Sequence, residues 1–298
     1  MESKCIWIIK RDGVRCYNVA KLIGVFDMYE HKPRLEGKVA IITGAGSSGP
    51  GVGNGKAAAL LFAREGAKVL LVDSVVERAE ETLEAIKAEG GDASVFEANV
   101  INDTDCQHMV AAAIDRYGRL DILDNNVGIS RRGTVVDISE SDWDYVMAVN
   151  VKSIVLCSKY AIPRMVETGG GSIINISSIA GLRAHSSTPY TTSKAAVIGL
   201  TMTMAADHGP DGVRVNCIAP GLVYSPMVAP RMDDDLRQVR KNAAPLRTEG
   251  DSWDIGYAAL YLASDEARWV NGITIPVDAG LTAVSPVTYQ TLSQQQRY

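Results

Sequence analysis

The chain has no dense run of lysine or arginine, and its one block of like charge, Asp233 to Asp235, is acidic within a net charge of −5. That block reads as a solvated face, and nothing advertises a seat for a phosphate backbone, which excludes nucleic acid as an expected partner. The five cysteines, at 5, 16, 106, 157 and 217, are odd in number, form no CxxC pair and lie far from any clustered histidine. A disulfide framework and a structural zinc are therefore not expected, and a reducing compartment is. No stretch approaches the ~18 apolar residues of a membrane span. The N-terminal CIWII is shorter than the ~7 apolar residues at the centre of a signal peptide. These absences predict a cytoplasmic protein with neither membrane nor metal.

What is present is an ordinary globular composition, 46% hydrophobic and 22% charged over 298 residues, enough to bury a full core. From about Leu35 short β-branched apolar runs alternate with helix-like segments. VAIIT, KVLLVD, ASVFEANV, DILDNN, SIINIS, RVNCIA and ITIPVD are the apolar runs; helices are predicted at about 56–66, 75–89, 103–117, 139–168, 189–208 and 251–264. This rhythm is that of βαβ units and predicts an α/β fold, a Rossmann-like doubly wound parallel sheet of about seven strands in a single domain. Residues 1–34 stand outside the rhythm as an N-terminal extension. IWIIK and VRCYNV flank RDG, which fits either a small hairpin turning at Asp12 and Gly13 or an irregular arm. The catalytic domain is expected over 35–283, with a polar lid at 222–250, and residues 284–298 form a polar tail.

Between the first strand and the first helix stands TGAGSSGPGVGNGKA, residues 43–57, with six glycines. Glycines there allow a tight turn, close approach of a diphosphate to bare N–H groups, and tight packing of a helix whose positive end faces the phosphates. A glycine cluster alone would equally suit a surface loop. Its position, and the carboxylate Asp73 ending KVLLVD, favour a dinucleotide whose adenosine ribose Asp73 holds. Asp73 would otherwise serve as a helix cap. With no Lys or Arg between Thr43 and Gly55 to receive a 2′-phosphate, NAD is expected over NADP.

Tyr190 and Lys194, four apart behind Pro189, stack on one face at the start of a helix. A neighbouring ammonium favours the phenolate, lowering a pKa of ~10 toward working pH, so that the tyrosine can exchange a proton with an alcohol or carbonyl oxygen. Ser178 offers a hydroxyl to hold the same oxygen. The pair alone would be an ordinary surface contact; the motifs together change the odds.

TGAG…GNG at 43–55, NNVG at 125–128, Asn150 in VMAVN, NISS at 175–178, YTTSK at 190–194, RVNCIAPG at 214–221 and VDAG at 277–280 occur in this order. In them the sequence resembles the short-chain dehydrogenase/reductase family over roughly residues 35–283. The resemblance implies Ser178, Tyr190 and Lys194 as the catalytic set, with Asn150 completing a water-linked proton relay to Lys194. It implies that Lys194 also binds the nicotinamide ribose, that Asn99, Val100 and Asn126 line the adenosine and ribose side, and that Val223 and Ser225 meet the carboxamide. It further implies a homo-oligomer, dimer or tetramer, built on the helices near 103–117 and 139–168. Gly44, Gly53 and Gly55 align with the family's glycines, although eight residues separate Gly44 from Gly53, more than the common turn holds. The extra residues, roughly 46–51, are expected to curl over or beside the diphosphate without being needed by the sheet. The Ser178 to Tyr190 spacing is shorter than the family's commonest, and Ser225 replaces the usual threonine.

The substrate is expected between this catalytic face, GISRRG, the loop carrying His185 and the lid. Met227, Val228 and Met232 offer apolar surface there, and Arg131, Arg132 and His185 offer polar contacts. The function predicted is NAD-dependent interconversion of a secondary alcohol and a ketone. The alternatives are a non-catalytic nucleotide sensor and a non-redox lyase or cyclase on the same scaffold.

Overall fold

The computed structural model describes residues 5–10, 13–18, 32–184 and 187–285, the first two segments by backbone alone. The chain divides into two units, Met1–Pro33 and Arg34–Tyr298. In the first, β1 (Cys5–Lys10) pairs antiparallel with β2 (Gly13–Asn18), Lys10 opposite Gly13. Asp12, His185 and residues 286–298 lie outside the described residues.

The second unit is a parallel sheet of seven strands in the order β5-β4-β3-β6-β7-β8-β9. The strands are β3 (Val39–Thr43), β4 (Lys68–Asp73), β5 (Ala93–Glu97), β6 (Ile122–Asn125), β7 (Gly171–Ile176), β8 (Val213–Pro220) and β9 (Thr274–Val277). Between them run α1 (Asn54–Arg64), α2 (Val76–Ala88), α3 (Asp103–Tyr117), α4 (Glu140–Met147), α5 (Ser153–Glu167), α6 (Thr188–His208), α7 (Asp234–Ala243) and α8 (Ser252–Ala263). The chain winds outward from β3 to β5, then returns to place β6 on the other side of β3. That reversal opens a crevice beyond the carboxyl ends of β3 and β6, where ligands of such sheets bind.

The strands read as unbroken apolar runs because both faces are covered. Ile42, Ile122 and Ile174 pack with Leu61 and Phe62 of α1, Ile86 of α2 and Leu260 of α8. Their neighbours Ile41, Leu123 and Ile173 point the other way, into Met109 of α3, Met165 of α5 and Val197 of α6. Each such side chain contributes about 1.5–3 kcal/mol by leaving water, and the two layers hold the carboxyl ends of the strands in fixed register.

Two features add to the expectations. The stretch Glu140–Glu167 is continuously helical, through a π-helical turn at Ala148–Lys152, and its most apolar window has a mean hydropathy of 1.2, so among the described residues one helix is long and apolar enough to cross a membrane. Of that window 56% is buried within the protein, which identifies it as a core helix lying against the sheet. The acidic block is the solvated face expected, and Asp233 also caps α7, its Oδ1 accepting from Leu236 N at 2.8 Å, with Asp234 and Asp235 in the first turn. Negative charge is favourable at that helix end.

Candidate active site

The glycine turn follows β3. Gly44 takes φ +66°, and a Cβ on Gly55 would lie 2.2 Å from the Gly44 carbonyl oxygen, so α1 approaches the turn as closely as bare backbone allows. Gly53 is the N-cap of α1; no side chain caps this end and no acidic residue occupies its first turn. An uncapped, positively polarised helix start therefore faces the crevice.

The sequence missed a further glycine in this turn. Gly46 donates its N–H to Asp73 Oδ2 at 3.1 Å, and a Cβ there would strike Arg78 Cβ at 2.4 Å. Asp73 Oδ1 accepts from Val75 N at 3.0 Å, so two backbone donors orient the carboxylate at the end of β4. Ser47 is buried, and its Oγ accepts from Gly53 N at 2.9 Å. Gly46 and Ser47 are thus built into the packing, which narrows the free part of the insertion to about residues 48–52. There Gly49 and Gly51 reach the lid, each within van der Waals distance of Pro226 for an added Cβ.

On the opposite face of the sheet, four elements bring the second set of residues together. Tyr190 and Lys194 lie on successive turns at the start of α6, where Pro189 sits in the first turn and lacks only an N–H the helix would not use. Ser178 follows β7, and its Oγ accepts from Ala180 N at 3.1 Å. Asn150 lies in the π-helical turn, where it donates to Ile129 O and to Ser193 Oγ, each at 2.9 Å, and accepts from Ile129 N at 2.8 Å. Ser193 Oγ in turn donates to Tyr190 O at 2.8 Å, tying the segment after β6 to the start of α6. The Asn150 side chain is thereby committed to Ile129 and Ser193, and no direct bond joins it to Lys194.

The electrostatics differ from the expectation. Burial pushes the Tyr190 phenol up, only partly offset by the Ser178 hydroxyl beside it. Complete burial pushes Lys194 down to about 8, and its Nζ donates to Ile176 O at 2.8 Å. The ammonium stands 5.8 Å from the centroid of the Tyr190 ring. Desolvation therefore outweighs the cationic neighbour, and the phenol is not lowered in this arrangement.

The remaining predicted residues fall around the crevice. Val100 is buried after β5, and Asn99 is exposed there, its N–H donating to Asp105 Oδ2 at 3.0 Å. Asn126 extends β6 toward the glycine turn, its N–H reaching Thr43 Oγ1 at 3.3 Å. Val223 and Ser225 open the lid. Arg240 of α7, absent from the sequence-based set, donates to Val223 O at 3.2 Å, while Arg237 stacks on Tyr224 and bonds Glu249 through two nitrogens. A cavity of about 380 Å³ lies between Val223, Arg240, Glu249 and Val277. Of the predicted substrate contacts, Arg131 is paired with Asp142 at 3.4 Å, and Met227 is half exposed on the lid. Among the described residues no three His, Cys, Asp or Glu side chains gather as metal ligands.

Comparison with known proteins gives a consistent picture. A family model described as enoyl-(acyl carrier protein) reductase matches residues 51–282. An uncharacterized oxidoreductase of Thermotoga maritima is 41% identical, over 84% of this chain and 99% of its own length. The 2,5-dichloro-2,5-cyclohexadiene-1,4-diol dehydrogenase LinX of Sphingobium indicum is 40% identical, over 83% of this chain and 97% of its own. A 7α-hydroxysteroid dehydrogenase solved with NADH and 7-oxo glycochenodeoxycholic acid superposes with a TM-score of 0.79 at 34% identity, covering 84% of this chain and 96% of that one.

Proposed function

The chain belongs to the short-chain dehydrogenase/reductase family of oxidoreductases, and from that premise we propose that it is an NAD-dependent enzyme interconverting a secondary alcohol and a ketone. The observation that carries the proposal is the convergence of Ser178, Tyr190 and Lys194 on one side of the crevice whose other side is the uncapped start of α1. The Gly44–Gly55 contact brings the uncapped start of α1 against bare backbone at the crevice, and this fits a dinucleotide diphosphate. Gly44, Gly53 and Gly55 would hold it, Asp73 the adenosine ribose, Asn99, Val100 and Asn126 the flank, and Val223 and Ser225 the carboxamide. A bound nicotinamide supplies or accepts the hydride.

In this reading the chain's own groups handle the proton and the geometry. Ser178 Oγ and the Tyr190 phenol hold one oxygen of the substrate, and Tyr190 donates its proton to a carbonyl oxygen or takes one from an alcohol. Lys194 binds the nicotinamide ribose and, on approach of that charge-accepting partner, favours the phenolate. Asn150 holds Ile129 and Ser193, and so fixes the start of α6 under Tyr190; a water-linked relay to Lys194 completes its role. Residues 35–283 form the catalytic unit, 222–250 its lid, and the enzyme works as a cytoplasmic homo-oligomer on a small molecule. Because one relative acts on a cyclic diol and a structural neighbour holds an oxo-steroid acid, ring alcohols and ring ketones head the substrate panel.

Cofactor choice rests on Asp73, whose charge would repel a 2′-phosphate, whereas the exposed Arg78 in the first turn of α2, beside Gly46 with Asp73, is the cation that could favour one. The test is oxidation and reduction across that panel with NAD(H) and NADP(H). The wild type should prefer NAD(H). Replacing Asp73 by Ser and Ser74 by Arg should move the ratio of kcat/KM toward NADP(H) by about tenfold or more, the worth of one charge-assisted contact. A wild type already preferring NADP(H) would reassign the adenosine end to Arg78, and no turnover with either cofactor would overturn the proposal.

A further inference from the structure

Most of the buried side-chain atoms without a hydrogen-bond partner among the described residues belong to three side chains by the glycine turn. They are Asn54 Oδ1, both carboxylate oxygens of Asp124, and both amide atoms of Asn126. Buried polar groups are nearly always paired, and an unpaired one calls for an explanation. Asp124 is fully buried in β6 opposite Ile42, and the mechanism above does not use it. With Ile122 it faces the α1 side of the sheet, and Asn126, two residues on, continues along that face toward the crevice.

Among the described residues no cation compensates it. Burial drives the Asp124 carboxyl up to about 7, and the Asn126 amide is the one group that acts in the opposite sense. The charged groups of the covering elements are engaged elsewhere. From α1, Lys56 lies 3.9 Å from Glu81 and Arg64 bonds Glu89. From α2, Lys87 meets Glu84, while Arg78 is exposed. From α8, Asp251 and Asp254 close a capping box. Asp73 is held by Gly46 and Val75. A carboxyl in such a place keeps its proton in preference to standing as an isolated buried charge.

We propose that Asp124 is a positioning residue for the cofactor: as a neutral acid it donates its O–H to Asn126 Oδ1 and turns the Asn126 amide N–H groups toward the crevice. Loss of that proton frees the amide to swing back and donate to the carboxylate. It also sets an unpaired negative charge beneath the glycine turn, where an anionic diphosphate is to be received. Cofactor binding and ionisation of Asp124 therefore oppose each other. The inference rests on the dinucleotide reading above and adds to it a proton-linked residue below the binding surface.

The experiment is NADH binding, followed by fluorescence, from about pH 6 to about pH 9 in the wild type, Asp124→Asn and Asp124→Val. Affinity of the wild type should fall about tenfold across this range, as expected when one proton is linked to binding. Asp124→Asn keeps a donor for Asn126 without a titrating group, so its affinity should match the low-pH wild type and carry only the dependence that Lys194, pushed down to about 8, gives to every variant. Asp124→Val should follow that same profile but several-fold weaker. Wild-type and Asp124→Asn profiles that run parallel would overturn the proposal while leaving the cofactor reading intact; binding of neither NADH nor NADPH would overturn both. Infrared difference spectra of the wild type provide a second readout should a variant fail to fold. A protonated-carboxyl band that titrates near neutrality and disappears in Asp124→Asn supports the assignment, and its absence from the wild type above about pH 5 removes it.

Discussion

Adjacent residues of β6 open onto opposite faces of the sheet, and their surroundings contrast. Asn125 donates to Asn175 Oδ1 at 2.9 Å, Asn175 donates to Thr201 Oγ1 at 3.0 Å, and Thr201 donates to Val197 O at 2.8 Å. That chain crosses from β6 through β7 into α6 and closes on itself. The polar side-chain atoms of Asp124 and Asn126, on the other face, have no hydrogen-bond partner beyond that pair itself among the described residues. A closed polar network rigidifies the core that carries it; an open one keeps bonding capacity for something that binds. The α6 side, where Tyr190 and Lys194 stand, is braced. The α1 side, where the cofactor would lie, is left open.

The largest effect should come from the braced side. Tyr190→Phe removes a single hydroxyl, and turnover should fall by about 10²- to 10⁴-fold, the range for a positioned proton-transfer group. NADH affinity should be nearly unchanged, as judged by fluorescence titration beside single-turnover rates. Retention of wild-type turnover with the chemical step rate-limiting would remove Tyr190 from the mechanism.

A sharper test exchanges the roles of the two faces. Asn175→Ala leaves the buried Asn125 amide and the Thr201 hydroxyl short of a partner and should destabilise the fold by about 1–3 kcal/mol, measured by urea unfolding, with cofactor affinity little altered. Asn126→Ala should do the reverse, weakening NADH binding several-fold while stability stays within about 0.5–1 kcal/mol. If both substitutions shift stability alone, the contrast between closed and open polarity has no bearing on binding.

The remaining effect concerns pH. The Asp124 carboxyl is raised from 3.8 to about 7 on folding. Between those values the native chain holds a proton that the unfolded chain has released, so the contribution of Asp124 is fully present below 3.8 and is lost as pH rises to about 7. Stability of the wild type relative to Asp124→Asn should decline across that window and level off above it. A difference that grows with pH would mean that the carboxyl is ionised and partnered in the native state.

Much of this molecule is legible along the chain, for identifiable reasons. The strand runs are apolar throughout because both faces are buried, and the turns between them carry their own signals; Asn102 and Ser139 cap α3 and α4 from the positions such residues favour. Tyr190 and Lys194 fall on one helix face by spacing alone. The electrostatic expectation for that pair failed because spacing fixes adjacency and not solvation: burial, and the Ile176 carbonyl that takes the ammonium, set the outcome. The helix expected at 139–168 is the one found at 140–167; its apolar length is masked in the pattern by Asp142, Asp144 and Lys152, which sit at partly or fully exposed positions.

The sequence by itself determined the alternation of strand and helix, the glycine turn at its first junction, and the side chains available for proton transfer, since each is written in periods of two or about four residues or in a short motif. Only the tertiary structure decided which distant groups meet. Strand order put β6 beside β3, and so brought Asp124 and Asn126 under a turn some eighty residues earlier in the chain. Packing of α2 against that turn made Gly46 indispensable beside Arg78 and Asp73. Whether a buried polar group finds a partner depends on what lies across the sheet from it, and no local pattern in the chain records that.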